Sequence, residues 1–145
     1  MLSKSITETS KIAKVFLEKI LKSEKNKGSA VMVGLSGELG AGKTTFTKQV
    51  AKHLKIKNKV ISPTFIIMKK YSLKLKGYKY FFHFDAYRLE NEKELLHLGW
   101  EEILKDQRHI IFIEWPENVK KAIPKYAQTI KISNNEKGHR KLELK

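Results

Sequence analysis

The segment Gly37–Thr44, GELGAGKT, constrains this chain more than any other stretch of it. It fits the pattern G-x-x-x-x-G-K-[ST], with Gly37, Gly42, Lys43 and Thr44 at the required places. The apolar run AVMVGL (Ala30–Leu35) precedes it, and Phe46, Val50 and Leu54 recur on one face after it. The run reads as a buried strand, and the spaced set as a helix from about Lys43 to Leu54. A strand, a glycine loop and a helix in that order turn backbone N–H groups around a phosphate, and the helix N-terminus adds positive potential. On that chemistry the loop residues Gly37, Glu38, Leu39, Gly40, Ala41 and Gly42 cradle the phosphates of ATP. Lys43 bridges the β- and γ-phosphates, the Thr44 hydroxyl ligates Mg²⁺, and Thr45 meets the α-phosphate. The residue frequencies of this chain give roughly one accidental match per hundred such chains.

A chain of 145 residues forms one domain, 1–145, and buries a core without a disulfide or metal staple. The absence of Cys excludes both a disulfide framework and a thiolate zinc site. Nothing resembles a signal peptide or a membrane span, so a cytoplasmic location and no membrane partner are expected. The net charge of +15 suggests a polyanionic partner, tRNA being the obvious candidate. Yet Arg88, Arg108 and Arg140 are the only Arg among 30 basic residues, and Arg is the residue suited to bidentate phosphate recognition. The accompanying richness in Ile and Asn fits an A+T-rich coding bias equally well.

Ile12, Ala13, Phe16, Leu17, Ile20 and Leu21 predict an amphipathic first helix, with hydroxyls at Thr7–Ser10 as caps. A turn is expected at Asn26–Gly28. Val60–Phe65 begins as a strand that Pro63 interrupts. Ile66–Leu73 and Tyr78–Phe84 predict a hairpin turning near Gly77. Asn91 caps a helix through Leu95, Leu96 and Leu98 that Gly99 ends, and Trp100, Ile103 and Leu104 mark another. His109–Ile113 is a buried strand stopped by Glu114-Trp115-Pro116, and Ala127–Ile132 and Lys141–Leu144 close the sheet at its edge. The expected architecture is an α/β three-layer P-loop NTPase sandwich with a mixed, mainly parallel central sheet.

A hydrated Mg²⁺ beside a phosphate loop needs a carboxylate. Asp85 ends the run FFHF and Glu114 ends IIFI, and ligands of doubly wound sheets bind beyond the carboxyl ends of strands. Glu114, after the more apolar run, is the Mg²⁺ partner acting through water, and Asp85 holds a metal-bound or attacking water. His83 reads as structural. Arg88 is a candidate for a salt bridge or a phosphate contact. Ser62–Phe65 (SPTF) reads either as a switch loop reporting the γ-phosphate through Thr64 or as a plain proline turn. Asp85, Glu114 and Thr64 all remain candidates for positioning the attacking water.

With these pieces in order, the chain resembles the bacterial tRNA threonylcarbamoyladenosine biosynthesis ATPases of the TsaE type. GELGAGKTTF, SPTF, HFDAYRL (His83–Leu89), ELLHLGWEEIL (Glu94–Leu104) and IEWPE (Ile113–Glu117) carry the resemblance, in order and over almost the whole chain. Ala86 departs from the larger apolar residue common at that position. The resemblance implies that ATP hydrolysis supports the TsaB–TsaD complex, which forms N6-threonylcarbamoyladenosine at position 37 of tRNAs reading ANN codons. On the same resemblance this chain does not transfer the group itself. It also places the Mg²⁺ and nucleotide roles on Lys43, Thr44, Asp85 and Glu114, and gives Trp115 a functional part. The alternatives are a small-molecule or nucleotide kinase, disfavoured by the lack of an Arg-rich lid, and a tRNA-binding module with a vestigial loop.

Overall fold

The computed structural model describes residues 1–23, 28–61 and 63–145. Its centre is a seven-stranded sheet of β1 (Leu2–Ser3), β2 (Val31–Ser36), β3 (Met68–Ser72), β4 (Tyr80–Asp85), β5 (His109–Glu114), β6 (Gln128–Asn134) and β7 (Arg140–Leu144). The spatial order is β1-β7-β6-β2-β5-β4-β3. Strands β6, β2, β5 and β4 are mutually parallel, and the antiparallel strands β7, β1 and β3 complete the two flanks. The expected mixed, mainly parallel α/β sandwich is the observed one.

Helices α1 (Ile6–Lys22) and α2 (Lys43–His53) cover one face of the sheet. On the other lie α3 (Lys93–His97), α4 (Trp100–Lys105) and a 3₁₀ segment (Pro116–Ala122). The central strands are apolar on both faces because both are covered. Successive side chains alternate between two cores: Phe81, Ile110 and Phe112 pack towards α1 and α2, whereas Phe82, Phe84, Ile111 and Ile113 face Trp100 and Leu95. The same alternation places His83, Asp85 and Glu114 on the α2 face. Among the described residues no helix is long and apolar enough to cross a membrane.

Several expectations are corrected. The first helix begins earlier than Thr7–Ser10: Ser5 is its cap, accepting from Glu8 N at 3.1 Å, while Glu8 Oε2 accepts from Lys4 N at 2.6 Å. The Ser5 hydroxyl thus satisfies one amide of the helix start, and Glu8 takes up the amide of Lys4, one residue before the cap. Thr9 instead bonds Ser3 Oγ at 2.7 Å, tying α1 to β1. Strand β6 is not at the sheet edge but pairs with β2 in the interior; the flanking strand there is the unforeseen β1. No strand forms at 60–61 or 63–65; the Pro63 carbonyl instead closes a turn on Ile66 and Ile67 N. Asn26 and Lys27 of the expected turn, and Ser62 of SPTF, lie outside the described residues. Asn91 Oδ1 does accept from Lys93 N at 3.0 Å, and Gly99, left-handed at φ 83°, separates α3 from α4.

Phe46, on the inner face of α2, is fully buried and meets Phe16 of α1 with ring centroids 6.2 Å apart. Phe46→Ala is expected to cost about 3–5 kcal/mol in denaturant unfolding. A loss under about 1 kcal/mol would show that the helix pair is not the anchor of this layer.

Candidate functional site

The loop between β2 and α2 takes its shape from glycine. Gly37 has φ 150°, and a Cβ there would overlap the Ile132 carbonyl of β6. Gly42, left-handed at φ 107°, is the residue from which α2 starts, and a Cβ on it would lie 2.6 Å from Arg140 Nε. The first turn of α2 contains no acidic side chain, so its N–H groups and dipole present uncompensated positive potential. Lys43 Nζ folds back to donate to the Gly37 and Glu38 carbonyls and lies 4.3 Å from the centre of the Trp115 ring. Burial pushes the Lys43 ammonium below its usual pKa, and the charges of Glu114, Glu117 and Asp85 oppose that shift.

Parallel pairing of β5 with β2 and β4 sets Glu114 opposite both Leu35, two residues before the loop, and Asp85. Both Glu114 carboxylate oxygens accept from the Thr44 hydroxyl, at 3.1 and 3.0 Å. Its Oε2 also lies 2.7 Å from His83 Nε2. An ionised carboxylate only accepts, so Nε2 is the donor in this contact, and among the described residues the buried Nδ1 has no hydrogen-bond partner. Asp85 Oδ2 accepts from Thr64 Oγ1 at 2.7 Å, and its Oδ1 from Tyr87 N at 2.9 Å. Beyond β5, Trp115 adopts a left-handed backbone at φ 59°, which turns its ring over Lys43 and against Tyr87, 5.1 Å away.

These groups border one cleft of about 290 Å³. Of the expected residues, Leu39, Gly40, Gly42, Lys43, Thr44 and Thr45 line it from the loop and α2, and Thr64, Asp85 and Glu114 line it from the strand ends. Gly37, Glu38 and Ala41 do not; they border an adjoining depression of about 540 Å³ that shares Leu39 and Trp115 with the cleft. Three residues in the cleft or behind it escape a sequence reading. Arg140, at the start of β7, reaches the cleft over Gly42. Tyr87 lines it beside Trp115, and His83 is no bystander in the strand because it holds Glu114. Arg88 does not line the cleft and, among the described residues, forms no ion pair; its guanidinium lies 4.3 Å from the centre of the Phe65 ring, and that Phe is 81% exposed.

The arrangement offers the N–H groups of the first turn of α2 and two cations to an anion, and beside them one hydroxyl and two carboxylates. Those hard oxygen donors suit Mg²⁺, which takes one or two protein ligands and keeps water for the rest. Among the described residues no group of three or more His, Cys, Asp and Glu is placed to hold a metal ion. Thr44 and Glu114, with Asp85 adjacent, fit the smaller demand.

Gly37→Ala and Gly42→Ala separate the two constraints on the loop. Both carry the left-handed penalty of about 1–2 kcal/mol. Gly37→Ala also strikes rigid backbone, adding about 1–3 kcal/mol, whereas Gly42→Ala meets a movable side chain. Unfolding measurements should therefore find Gly37→Ala the more damaging. Arg140→Ala should relieve part of the Gly42→Ala loss and none of the Gly37→Ala loss.

Compared with known proteins, residues 3–142 match the profile of the family described as threonylcarbamoyl adenosine biosynthesis protein TsaE. A curated tRNA threonylcarbamoyladenosine biosynthesis protein TsaE from Rickettsia typhi is 35% identical over 133 residues, covering 90% of this chain and 84% of the relative. One of the same name from Treponema pallidum is 34% identical over 117 residues, covering 81% and 82%. The crystal structure of YdiB from Bacillus subtilis superposes with a TM-score of 0.72 at 27% identity, over 98% of this chain and 80% of that one.

Proposed function

The chain belongs to the TsaE family, and from that premise we propose that it is a Mg²⁺-dependent ATPase acting in tRNA threonylcarbamoyladenosine biosynthesis. The observation that carries this reading is the Thr44–Glu114 pair, which joins the phosphate loop to a carboxylate at the end of the neighbouring strand. A loop that merely bound phosphate would need no acid there, since a buried carboxylate repels the ligand unless a cation stands between them.

In this account the α2 amides and Lys43 hold the β- and γ-phosphates, and Arg140 adds positive charge from outside the loop. Thr44 and, through water, Glu114 would hold Mg²⁺, and His83 keeps Glu114 turned towards Thr44. When bound, Mg²⁺ offsets charge on the β- and γ-phosphate oxygens. Asp85, steadied by Thr64 and the Tyr87 amide, orients the attacking water. The water oxygen bonds to the γ-phosphorus as the bond to the ADP oxygen breaks, and both water protons leave on the released phosphate, as dihydrogen phosphate. Trp115 screens Lys43 from solvent and links it to Tyr87 at the cleft mouth.

The family's assignment supports a role beside the other Tsa proteins. Hydrolysis here would reset or drive the TsaB–TsaD complex as it modifies position 37 of tRNAs reading ANN codons, and this chain would not transfer the threonylcarbamoyl group. The test is ATP hydrolysis by the purified chain with and without TsaB–TsaD. Turnover should be slow alone and rise with the pair. Lys43→Ala should abolish binding or turnover, while Asp85→Ala and Glu114→Ala should lower turnover on the order of 100-fold with smaller effects on nucleotide binding. Normal turnover by Asp85→Ala would remove that residue from the account, and no response to the partner pair would overturn the functional reading.

A further inference from the structure

The positive charge of this chain is unevenly placed. Between Leu39 and Phe84 there are eleven Lys and no Asp or Glu, which accounts for +11 of the net +15. This stretch comprises α2, its connection to β3, and the β3–β4 hairpin. A lysine excess spread by codon bias would still leave acids interspersed, as they are from Asp85 onwards.

Part of this charge lines a groove of about 340 Å³ between the outer face of α2 and the segment that follows it. Lys48 and Lys52 face it from α2 one turn apart, and Lys57 and Lys59 face it from the chain after the helix; all four are exposed. Its apolar lining is Ala51, Ile56 and Val60. Among the described residues none of these four lysines is in an ion pair, whereas Lys105 and Lys141 each have an acidic partner. Like charges one helical turn apart destabilise a helix, and an acid at either position would relieve the repulsion. A surface arranged this way meets its missing counter-charge in a ligand with repeated negative charges.

We propose that this groove is a docking site for the phosphodiester backbone of RNA. The proposal rests on the reading that this chain serves tRNA modification, which supplies the polyanion. Lysine, a point charge on a flexible stem, suits contact with phosphates irrespective of sequence. The groove shares no lining residue with the nucleotide cleft, and Lys52 is nine residues beyond Lys43, roughly 14 Å along the helix. RNA and nucleotide can therefore bind together, and substitutions in the groove leave the cleft untouched.

The test is fluorescence anisotropy of a labelled, unmodified tRNA transcript titrated with the full chain between roughly 50 and 200 mM salt. The wild type should bind, with log K falling linearly against log salt. The triple variant Lys52→Gln/Lys57→Gln/Lys59→Gln should bind at least about tenfold more weakly, with a slope shallower by about 2–3. A triple Arg variant should bind as the wild type does, and ATP affinity should be unchanged in both, which shows that the fold is intact. No binding by the wild type, or equal affinity and slope in the triple Gln variant, would overturn the proposal. So would lysine-dependent binding to phosphatidylglycerol vesicles without binding to tRNA, which would make the groove a lipid surface. Partner-stimulated hydrolysis without RNA binding would refute the groove and leave the ATPase reading standing; RNA binding without stimulation would do the reverse.

Discussion

The parallel pairing of β2 with β5 is the constraint on which the rest depends. Its register sets Leu35 beside Glu114, so the strand that leads into the phosphate loop and the strand that ends in a carboxylate finish at the same height. The Thr44–Glu114 hydrogen bonds follow from that register. Because side chains alternate along a strand, a slip by one residue would turn Glu114 into the opposite core and bring Ile113 under the loop. The two apolar cores oppose such a slip: Ile110 and Phe112 pack under α1 and α2, and Ile111 and Ile113 against Trp100 and its neighbours. The energy of two cores thus holds a functional distance in place.

A buried lysine, two buried carboxylates and a buried histidine sit within this frame, a costly set to remove from water. The cost is met locally. Lys43 gains two loop carbonyls and an aromatic face, Glu114 gains Thr44 and His83, and Asp85 gains Thr64 and the Tyr87 amide. The left-handed backbone at Trp115 belongs to the same economy, since it lets a bulky residue follow Glu114 and still turn its ring onto Lys43. Backbone strain at a cleft is common where a site must be held in one arrangement.

Much of this was legible from residues alone. The loop, the helix behind it, the β3–β4 hairpin and the strand-end position of Asp85 and Glu114 all rest on local pattern, and local pattern was strong. What escaped depends on long-range pairing. Strand β1 is two residues long and shows no alternation to read; it exists because β7 offers it an edge. The interior place of β6 is a matter of topology that its own residues do not announce. Arg140 reaches the cleft only because β7 folds back along β6, so the one available signal was its rarity in a lysine-rich chain. His83 read as structural because alternation with Phe predicts burial; the burial is real, and its contact with Glu114 lies 31 residues away in sequence. Ser5 and Glu8 have the spacing of a capping box, but the hydroxyls of Thr7, Thr9 and Ser10 compete with that signal in the sequence.

The central claim is that Thr44 and Glu114 place Mg²⁺ on a nucleotide held by the loop. It is tested most directly by calorimetric titration of ATP, with and without Mg²⁺, into the wild type and Glu114→Gln. The account predicts that Mg²⁺ tightens ATP binding to the wild type by about tenfold or more, a difference of about 1.4 kcal/mol. Glu114→Gln should lose most of that gain, and its Mg²⁺-free affinity should equal or exceed that of the wild type, because the carboxylate that repels an unmetallated phosphate is gone. An equal gain in both proteins would contradict the account and move the metal away from the Thr44–Glu114 pair.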